Sequence, residues 1–302
     1  MTPTSTSRPQ RAGTTLVRFG FVPAVLLAAI ASIVFRDQGR SWAVGTGVDW
    51  ASVVLLSLIF FIWLTERIWP ANAASNGHLF GPEPGGLRRD LVYLFFITQL
   101  SALLIATTVA PLKWAGLHFD GASGFWPSHA PFALRVTLAF FVVEFFSYWL
   151  HRAAHRFPLL WQFHSTHHVI TQLNGLKALR THPVENLMFY VVRTVPLMLL
   201  GAGLDEVTTA TMFGAVLGVL SHANVSVSER GLGLLVNLPG YHAVHHSPEL
   251  SESNSNYGCH TIFWDRVFGT FHAPTPALVG VHPVGTRSMW RELAWPFYRK
   301  VQ

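Results

Sequence analysis

Histidine is concentrated in three short windows of this sequence, with the spacing that metal ligands take on helices. The chain has 16 histidines, and half of them fall within 151–155, 164–168 and 242–246. The first window has the pattern H-x3-H, and the other two have the pattern H-x2-H-H. Because residues three or four apart share one face of a helix, each window predicts a helical face of imidazoles. These candidate ligands are His151, His155, His164, His167, His168, His242, His245 and His246.

The number and type of these side chains indicate two metal ions. Imidazole coordinates iron, zinc, copper and nickel, whereas calcium and magnesium prefer oxygen ligands. One ion takes about four to six ligands, and a catalytic ion keeps a position open. Eight histidines are therefore too many for one ion and about right for two. A single H-x3-H pair is common without any metal, so the prediction depends on the three windows occurring together.

A carboxylate lies on the same helical stripe as the first two histidines. Glu144, Tyr148, His151 and His155 follow one another at steps of four, three and four residues. An acidic residue within an apolar segment is costly and usually functional. Glu144 is therefore a candidate partner for the ring N–H of a metal-binding histidine. The alternative, a polar side chain satisfied by a neighbouring helix, is equally open.

The composition is that of a membrane protein or an unusually apolar soluble one. Charged residues make up 12% of the chain and apolar residues 50%, and the mean hydropathy is +0.35. Soluble domains carry about 25% charged residues. The 23 Phe and 11 Trp exclude intrinsic disorder. The single cysteine, Cys259, excludes a disulfide scaffold and a cysteine-based metal site.

Long apolar stretches predict an all-α, polytopic membrane helix bundle. A span needs about 20 residues of helix, and four main spans are predicted, at 19–35, 51–65, 91–112 and 132–150. The first has the alternative of a signal peptide, because arginines precede it and Ala29-Ile30-Ala31 resembles a cleavage site. Two shorter stretches, 187–204 and 207–220, predict a hydrophobic hairpin that either crosses the membrane or re-enters it. The histidine windows would form a helical cap at one end of this bundle.

The distribution of Lys and Arg predicts the orientation. Placing the N-terminus in the cytoplasm puts sixteen of these residues on the cytoplasmic side and three on the other. This imbalance follows the positive-inside rule and places both termini and the histidine cap in the cytoplasm. The positive charge therefore does not indicate nucleic-acid binding. The predicted organisation is a disordered tail (1–14), a transmembrane hairpin and loop (15–90), a catalytic domain (91–272) and a C-terminal tail (273–302).

With its flanking residues, this order of histidine boxes resembles the fatty acid hydroxylase / sterol desaturase superfamily of membrane-bound non-haem di-iron enzymes. The resemblance covers roughly residues 90–272 and does not extend to the first ninety. The segments that carry it, besides the boxes, are Tyr148–Arg152, Leu159–His164, Leu179–Asn186, Ser221–Asn224, Asn256–Gly258 and Trp264–Thr270. From 167 to 183 the sequence looks more like the sterol desaturase branch than the ether-cleaving one.

The resemblance implies an O₂-dependent oxidoreductase that hydroxylates or desaturates an unactivated C–H bond of a sterol, fatty-acyl or related lipid. The eight box histidines would bind two iron ions, and His222 and His182 match further histidines near the metals. For His182 the alternative is a histidine at a helix start before Pro183, held by Glu185; Glu185 is a candidate partner behind the ligands. Electrons from NAD(P)H would arrive through a separate ferredoxin, cytochrome b5-like protein or reductase.

The alternative function from another class is a polytopic metal transporter or metal-storage protein. Transporters place their ligands near the middle of the membrane, at interrupted helices. Here the histidines follow the ends of predicted spans, and only Glu144 lies deep within one. The sequence therefore favours the oxidase. It leaves open the lipid substrate and the choice between hydroxylation and desaturation.

Overall fold

The computed structural model describes residues 12–37, 50–72, 86–114, 125–274, 279 and 288–298, and all regular elements in these ranges are helices. This confirms the all-α prediction. The α-helices are α1 (Ala12–Val34), α2 (Trp50–Ile68), α3 (Leu87–Val92), α4 (Thr98–Trp114), α5 (Phe132–Arg156), α6 (Pro158–His168), α7 (Pro183–Leu200), α8 (Leu204–Ser221), α9 (Pro239–His245), α10 (Leu250–Ser253), α11 (Phe263–Val267) and α12 (Met289–Tyr298).

Five helical stretches among the described residues are long and apolar enough to cross a membrane: Thr15–Val34, Leu87–Thr108, Phe132–Arg156, Pro183–Leu200 and Leu204–Ser221. Both arms of the predicted hairpin are therefore full helices, of 18 residues each. The predicted span 51–65 lies within α2, whose charged residues, Glu66 and Arg67, stand near its end. Of the predicted tail 1–14, residues 1–11 lie outside the described ranges, and Ala12 begins α1.

The long helices present apolar side chains on their outer surface. Phe95, Phe96 and Leu103 are 60%, 69% and 60% exposed, and Leu199 is 66% exposed. Soluble monomers rarely expose contiguous apolar surface of this kind, whereas a bilayer solvates it. The two helices α3 and α4 continue one another through a π-helical turn, Tyr93–Ile97. Their outward-facing phenylalanines lie on this turn.

Ion pairs and hydrogen bonds mark the two ends of the bundle. At one end, Arg36 after α1 pairs with Asp205 at the start of α8, with 3.1 Å between Nη2 and Oδ2. Arg135 near the start of α5 pairs with Glu206, which lies beside Asp205 in the first turn of α8. At the opposite end, Glu66 of α2 accepts hydrogen bonds from the backbone N–H groups of Gly175 and Asn224. We call this the histidine end, because α5 finishes there and α7 begins there.

Local sequence signals set the helix boundaries at the histidine end. Phe157 precedes a proline, which disfavours helical backbone, so α5 ends there and Pro158 opens α6. His182 caps α7: its Nδ1 accepts a hydrogen bond from the Val184 N–H, and Pro183 takes the first helical position. At the far end, Gly201 closes α7 in the left-handed conformation (φ 93°), which glycine adopts without strain.

The segment after residue 272, expected to be a tail, contains the helix α12. Its Glu292 is 2% exposed, although α12 is only ten residues long. The helix packs beside α6, where the rings of Phe297 and Phe163 lie 6.0 Å apart. The C-terminal part of the chain therefore takes part in the structure of the histidine end.

Candidate metal centre

The structure brings all eight box histidines together with His222, and these nine side chains form two groups. Within each group the candidate ligand atoms all lie within 4.8 Å of one another. We call them the first group (His151, His155, His164, His168 and His245) and the second group (His167, His222, His242 and His246). The first combines α5, α6 and α9, and the second combines α6, α8 and α9.

The spacing within the boxes explains how the histidines divide. Residues four apart on a helix differ by about 40° around its axis, and residues three apart by about 60° in the opposite sense. In α6, His164 and His168 accordingly share the first group, while His167 turns to the second. In α9, His242 and His246 share the second group, while His245 turns to the first. Each H-x2-H-H box thus spans both groups.

Backbone carbonyl oxygens fix the tautomer of four of these rings. A carbonyl oxygen only accepts, so the Nδ1 that faces it carries the proton and Nε2 keeps its lone pair. In the first group, His151 Nδ1 donates to Tyr257 O at 2.6 Å and His245 Nδ1 to Ser255 O at 2.8 Å. In the second group, His222 Nδ1 donates to the Gly218 carbonyl at 2.7 Å.

His167 is the fourth ring whose tautomer a backbone carbonyl fixes, because its Nδ1 donates to the Arg180 carbonyl at 3.3 Å. The Nε2 atoms of these rings then face one another without a proton between them. They are 2.9 Å apart for His151 and His245, and 3.1 Å apart for His222 and His167. Facing lone pairs repel unless a cation lies beside both.

The donor set fits transition-metal ions. With metal–nitrogen bonds of about 2.1 Å, two ligands at a right angle have nitrogens about 3.0 Å apart, close to the spacings found here. Further ring nitrogens are buried without a hydrogen-bond partner among the described residues, at His155 Nε2, His168 Nε2 and His246 Nδ1. Neutral imidazoles suit iron, zinc, copper or nickel rather than calcium or magnesium. Each group can therefore hold one such ion.

Burial keeps these rings neutral, the state in which imidazole binds a metal. It lowers the pKa of His164 to about 3. For His242 and His246, burial and then the neighbouring imidazoles hold the pKa well below the usual 6.5. The pKa values of His168 and His245 are lowered for the same two reasons. The site is therefore preformed for a metal at neutral pH.

The two carbonyls that orient His151 and His245 belong to one tightly held loop, 255–258. Asn256 sits between them with φ of 51°, a left-handed conformation that asparagine tolerates better than most residues. Its side chain donates to the carbonyls of Tyr241 and His272 and accepts from the His272 N–H. These bonds anchor the loop.

A buried carboxylate holds the same loop from the other side. Asp265 of α11 accepts hydrogen bonds from the backbone N–H groups of Tyr257 and Gly258, both at 2.7 Å, and from the hydroxyl of Thr270, also at 2.7 Å. A Cβ on Gly258 would lie 1.7 Å from the carbonyl oxygen of Thr261. Glycine is required there by this close approach.

The candidate partner Glu185 contacts a ligand, whereas Glu144 contacts a histidine outside the boxes. Glu185 accepts a hydrogen bond from Nδ1 of His164. Glu144 accepts from the Nδ1 of His260 and from the backbone N–H groups of His260 and Thr261. Glu144 was expected to support a metal ligand; instead it anchors the segment that follows the 255–258 loop.

Sequence reasoning did not identify His260, which has no partner at helical spacing. The signal available was the pair of glycines in α8. A Cβ on Gly214 would lie 2.9 Å from the His260 ring, and one on Gly218 would lie 3.5 Å from it. His260 therefore packs into the hollow that these glycines leave, one turn before His222.

His182 lies outside both groups, which corrects its place in the predicted ligand set. Its Nδ1 accepts from the Val184 N–H at 3.1 Å, and its Nε2 donates to the carbonyl of Leu293 at 2.9 Å. Neither ring nitrogen is left for a metal. The structure supports the alternative, a histidine at the start of a helix, although Leu293 rather than Glu185 holds its ring.

Cys259 lies near the first group without joining it. Its sulfur is 3.9 Å from Nδ1 of His151, the nitrogen that faces away from the other rings. Burial raises the pKa of the thiol to about 12, so it stays protonated. The donor set is therefore made of imidazoles.

The model of the fatty acid hydroxylase family matches residues 136–270. An ornithine lipid hydroxylase from Rhizobium tropici is 30% identical over 92% of this chain and 83% of its own length. This chain belongs to the fatty acid hydroxylase family. The resemblance noted from the histidine boxes is thereby confirmed. No solved structure gives a significant match.

Other family members match over shorter segments. The human alkylglycerol monooxygenase is 30% identical over 49% of this chain and 33% of its own length. A Δ7-sterol-C5(6)-desaturase from Nicotiana tabacum is 32% identical over 44% of the chain and 48% of its own length. The expected preference for the sterol desaturase branch receives no support from these values.

Family membership and the apolar helices together establish the broad activity. The chain is an integral membrane protein and an oxidoreductase that acts on lipids. Its buried histidine cluster can bind metal.

Proposed function

We propose that this chain is a di-iron lipid hydroxylase that binds one iron ion in each histidine group. The observation that carries the proposal is the division of nine histidines into two groups with facing, unprotonated Nε2 atoms. A metal transporter would need ligands along a path through the membrane. Here the ligands lie together at one end of the bundle, and five of the nine are oriented by a backbone carbonyl or by the Glu185 carboxylate.

Iron bound in this cluster would supply the reductive activation of O₂ and the removal of hydrogen from an unactivated C–H bond. The overall reaction takes a C–H bond, O₂, two electrons and two protons to a C–OH group and water. The electrons would come from NAD(P)H through a separate donor protein. An iron pair held by imidazoles avoids thiolate ligands, which are readily oxidised.

The chain's own residues orient the ligands and exclude water. The carbonyls of Ser255 and Tyr257 hold His245 and His151 with their Nε2 atoms directed inward. Eight of the nine histidines are buried, and His155 is half-buried. A dry environment keeps a strong oxidant from reacting with water instead of substrate. A ligand set held in place before the metal binds loses little entropy on binding.

We further propose that the histidine end faces the cytoplasm, as the distribution of Lys and Arg predicts. Soluble electron donors would then reach the site from that side. The bias includes Arg152 and Arg156 at the end of α5 and Arg230 and Arg266 beyond α8.

The substrate we propose is a polar membrane lipid with a cationic head group. A cavity of about 480 Å³ lies at the histidine end, within the range of ligand sites. It is walled by the residues that follow His222 and by Ala243, next to His242. Glu229 is its one charged residue among those described, and Thr171, Gln172 and Ser226 add polar groups. This lining suits an ammonium group, and the relative named as an ornithine lipid hydroxylase supports the choice.

Hydroxylation is proposed in preference to desaturation because the relative that covers 92% of this chain is named as a hydroxylase. The test compares the lipids of cells that express the chain with those of cells that express His168→Ala, which lacks a ligand of the first group. We expect a lipid that gains one oxygen atom in the first culture only. A loss of two hydrogens would replace hydroxylation by desaturation, and identical lipids with intact membrane insertion would contradict the proposal.

A further inference from the structure

Two neighbouring residues of α12 are each connected to a different histidine group. The helix runs from Met289 to Tyr298 and lies outside the region that the family model matches, 136–270. Its Glu292 and Leu293 face the segment 180–182, the last part of the connection between α6 and α7. From this segment, one connection leads to the second group and another to the first.

The connection to the second group passes through a buried ion pair. Glu292 Oε1 lies 2.6 Å from Nη2 of Arg180, and both side chains are 1% exposed. Arg89 and Tyr93 also bind the carboxylate, at 2.9 Å and 3.3 Å. The backbone carbonyl of Arg180 is the acceptor that orients His167. Holding the Arg180 side chain therefore holds the carbonyl that sets a ligand of the second group.

The connection to the first group passes through the cap of α7. The carbonyl of Leu293 accepts the Nε2–H of His182, which leaves Nδ1 free to cap the helix through the Val184 N–H. One turn further, Glu185 accepts the Nδ1–H of His164. The position of the helix start therefore sets the carboxylate that orients a ligand of the first group.

We propose that α12 is a positioning element of the metal centre. Its Glu292 orients His167 through Arg180. Its Leu293 holds His182, the cap of α7, and thereby positions the Glu185 carboxylate that orients His164. This inference rests on the proposed function, because it assigns the two groups to two metal ions. It gives the C-terminal helix a role in metal binding although none of its residues is a ligand. Loss of a group behind a metal ligand costs about 10–100-fold in affinity or activity.

The two connections make opposite predictions for two conservative variants. Glu292→Gln keeps the shape of the side chain but removes the charge between Arg89 and Arg180, so only the second group is affected. His182→Asn keeps a good capping residue, but its shorter side chain does not reach the Leu293 carbonyl, so only the first group is affected. Arg291→Gln is the matched control, because this exposed residue on α12 loses a charge outside both connections.

The experiment measures Fe²⁺ binding to the full chain under anaerobic conditions, in backgrounds that keep one group each. The double variant His151→Ala/His155→Ala leaves three histidines in the first group and disables it, and His242→Ala leaves three in the second group and disables that one. We expect Glu292→Gln to weaken Fe²⁺ binding about 10–100-fold in the His151→Ala/His155→Ala background and to leave it unchanged in the His242→Ala background. His182→Asn should show the reverse pattern, and Arg291→Gln should change neither.

Several outcomes would overturn the inference. If either variant weakened Fe²⁺ binding equally in both groups, α12 would contribute only to general stability. If neither variant weakened Fe²⁺ binding in any group, the two connections would not position the ligands. Should Glu292→Gln fail to insert, His182→Asn still decides the connection to the first group. Failure of both backgrounds to bind any Fe²⁺ would instead contradict the proposed di-iron function.

Discussion

Asp265→Asn tests whether the 255–258 loop presets the first histidine group. The carboxylate is fully buried and accepts three hydrogen bonds, two of them from the backbone N–H groups of Tyr257 and Gly258. An asparagine has one side-chain oxygen. It can keep the bonds to Tyr257 and Thr270, but its NH₂ group then faces the N–H of Gly258.

The magnitude follows from that single unmet donor. A buried N–H without an acceptor costs about 1–3 kcal/mol. Since 1.36 kcal/mol is a factor of ten, this corresponds to about 5- to 160-fold in any equilibrium that requires the ordered loop. The carbonyls of Ser255 and Tyr257 orient His245 and His151. A less ordered loop should therefore lower the affinity of the first group for metal by this factor.

The assay is competition for Fe²⁺ between the purified variant and a chelator, with the second group disabled by His242→Ala. Asp205→Asn is the matched control, because Asp205 pairs with Arg36 at the end of the bundle away from the histidines. We expect weaker binding for Asp265→Asn and no change for the control. Unchanged affinity in a folded Asp265→Asn protein would refute the role assigned to the loop.

Three further predictions use other parts of the site. His222→Ala removes one of four ligands from the second group, so the iron content should fall from two ions to one per chain, by elemental analysis. Glu144→Gln keeps one acceptor for the His260 segment, so turnover should fall partially, and complete loss would show that Glu144 does more than anchor. Glu229→Gln should raise KM for a lipid with a free amine and not for its N-acetylated form. Equal effects on both lipids would contradict the proposal that Glu229 binds the cationic head group.

The metal-free protein should lose stability in acid. The ordinary histidine pKa is 6.5, and burial lowers that of His164 to about 3 in the folded state. The unfolded chain therefore takes up protons below pH 6.5 that the folded chain does not. The free energy of unfolding should fall by about 1.4 kcal/mol per pH unit between pH 6.5 and 3 from His164 alone, and the other box histidines whose pKa burial lowers add to the loss in the same direction. Thermal unfolding of the metal-free chain checks this, and a flat profile would contradict the buried, neutral rings.

The helical ligands were predictable because spacing alone determines which face of a helix they share. The pairs His151–His155, His164–His168 and His242–His246 are four apart, and each pair shares a group. Hydropathy likewise indicated the long helices. His222 was predicted as a ligand only from the family resemblance, because a single histidine after a helix has no spacing pattern.

What the sequence did not show are the contacts between distant segments. Glu144 was expected to support a metal ligand, but its partner His260 lies 116 residues away. His182 was proposed as a ligand because a histidine before Pro183 matched the family, while its true partner is a backbone carbonyl. Backbone acceptors such as those of Ser255 and Tyr257 leave no trace in residue type. The role of α12 follows from buried ion pairs that only the fold brings together.

The most direct test of the central claim uses isotopically labelled dioxygen. The purified chain, loaded with Fe²⁺ and supplied with a reductant and a lipid with a cationic head group, is exposed to the labelled gas. We expect mass spectrometry to find one labelled oxygen atom in the lipid, and none with His168→Ala. Unlabelled lipid, or oxygen taken from water instead, would contradict the account of a di-iron lipid hydroxylase.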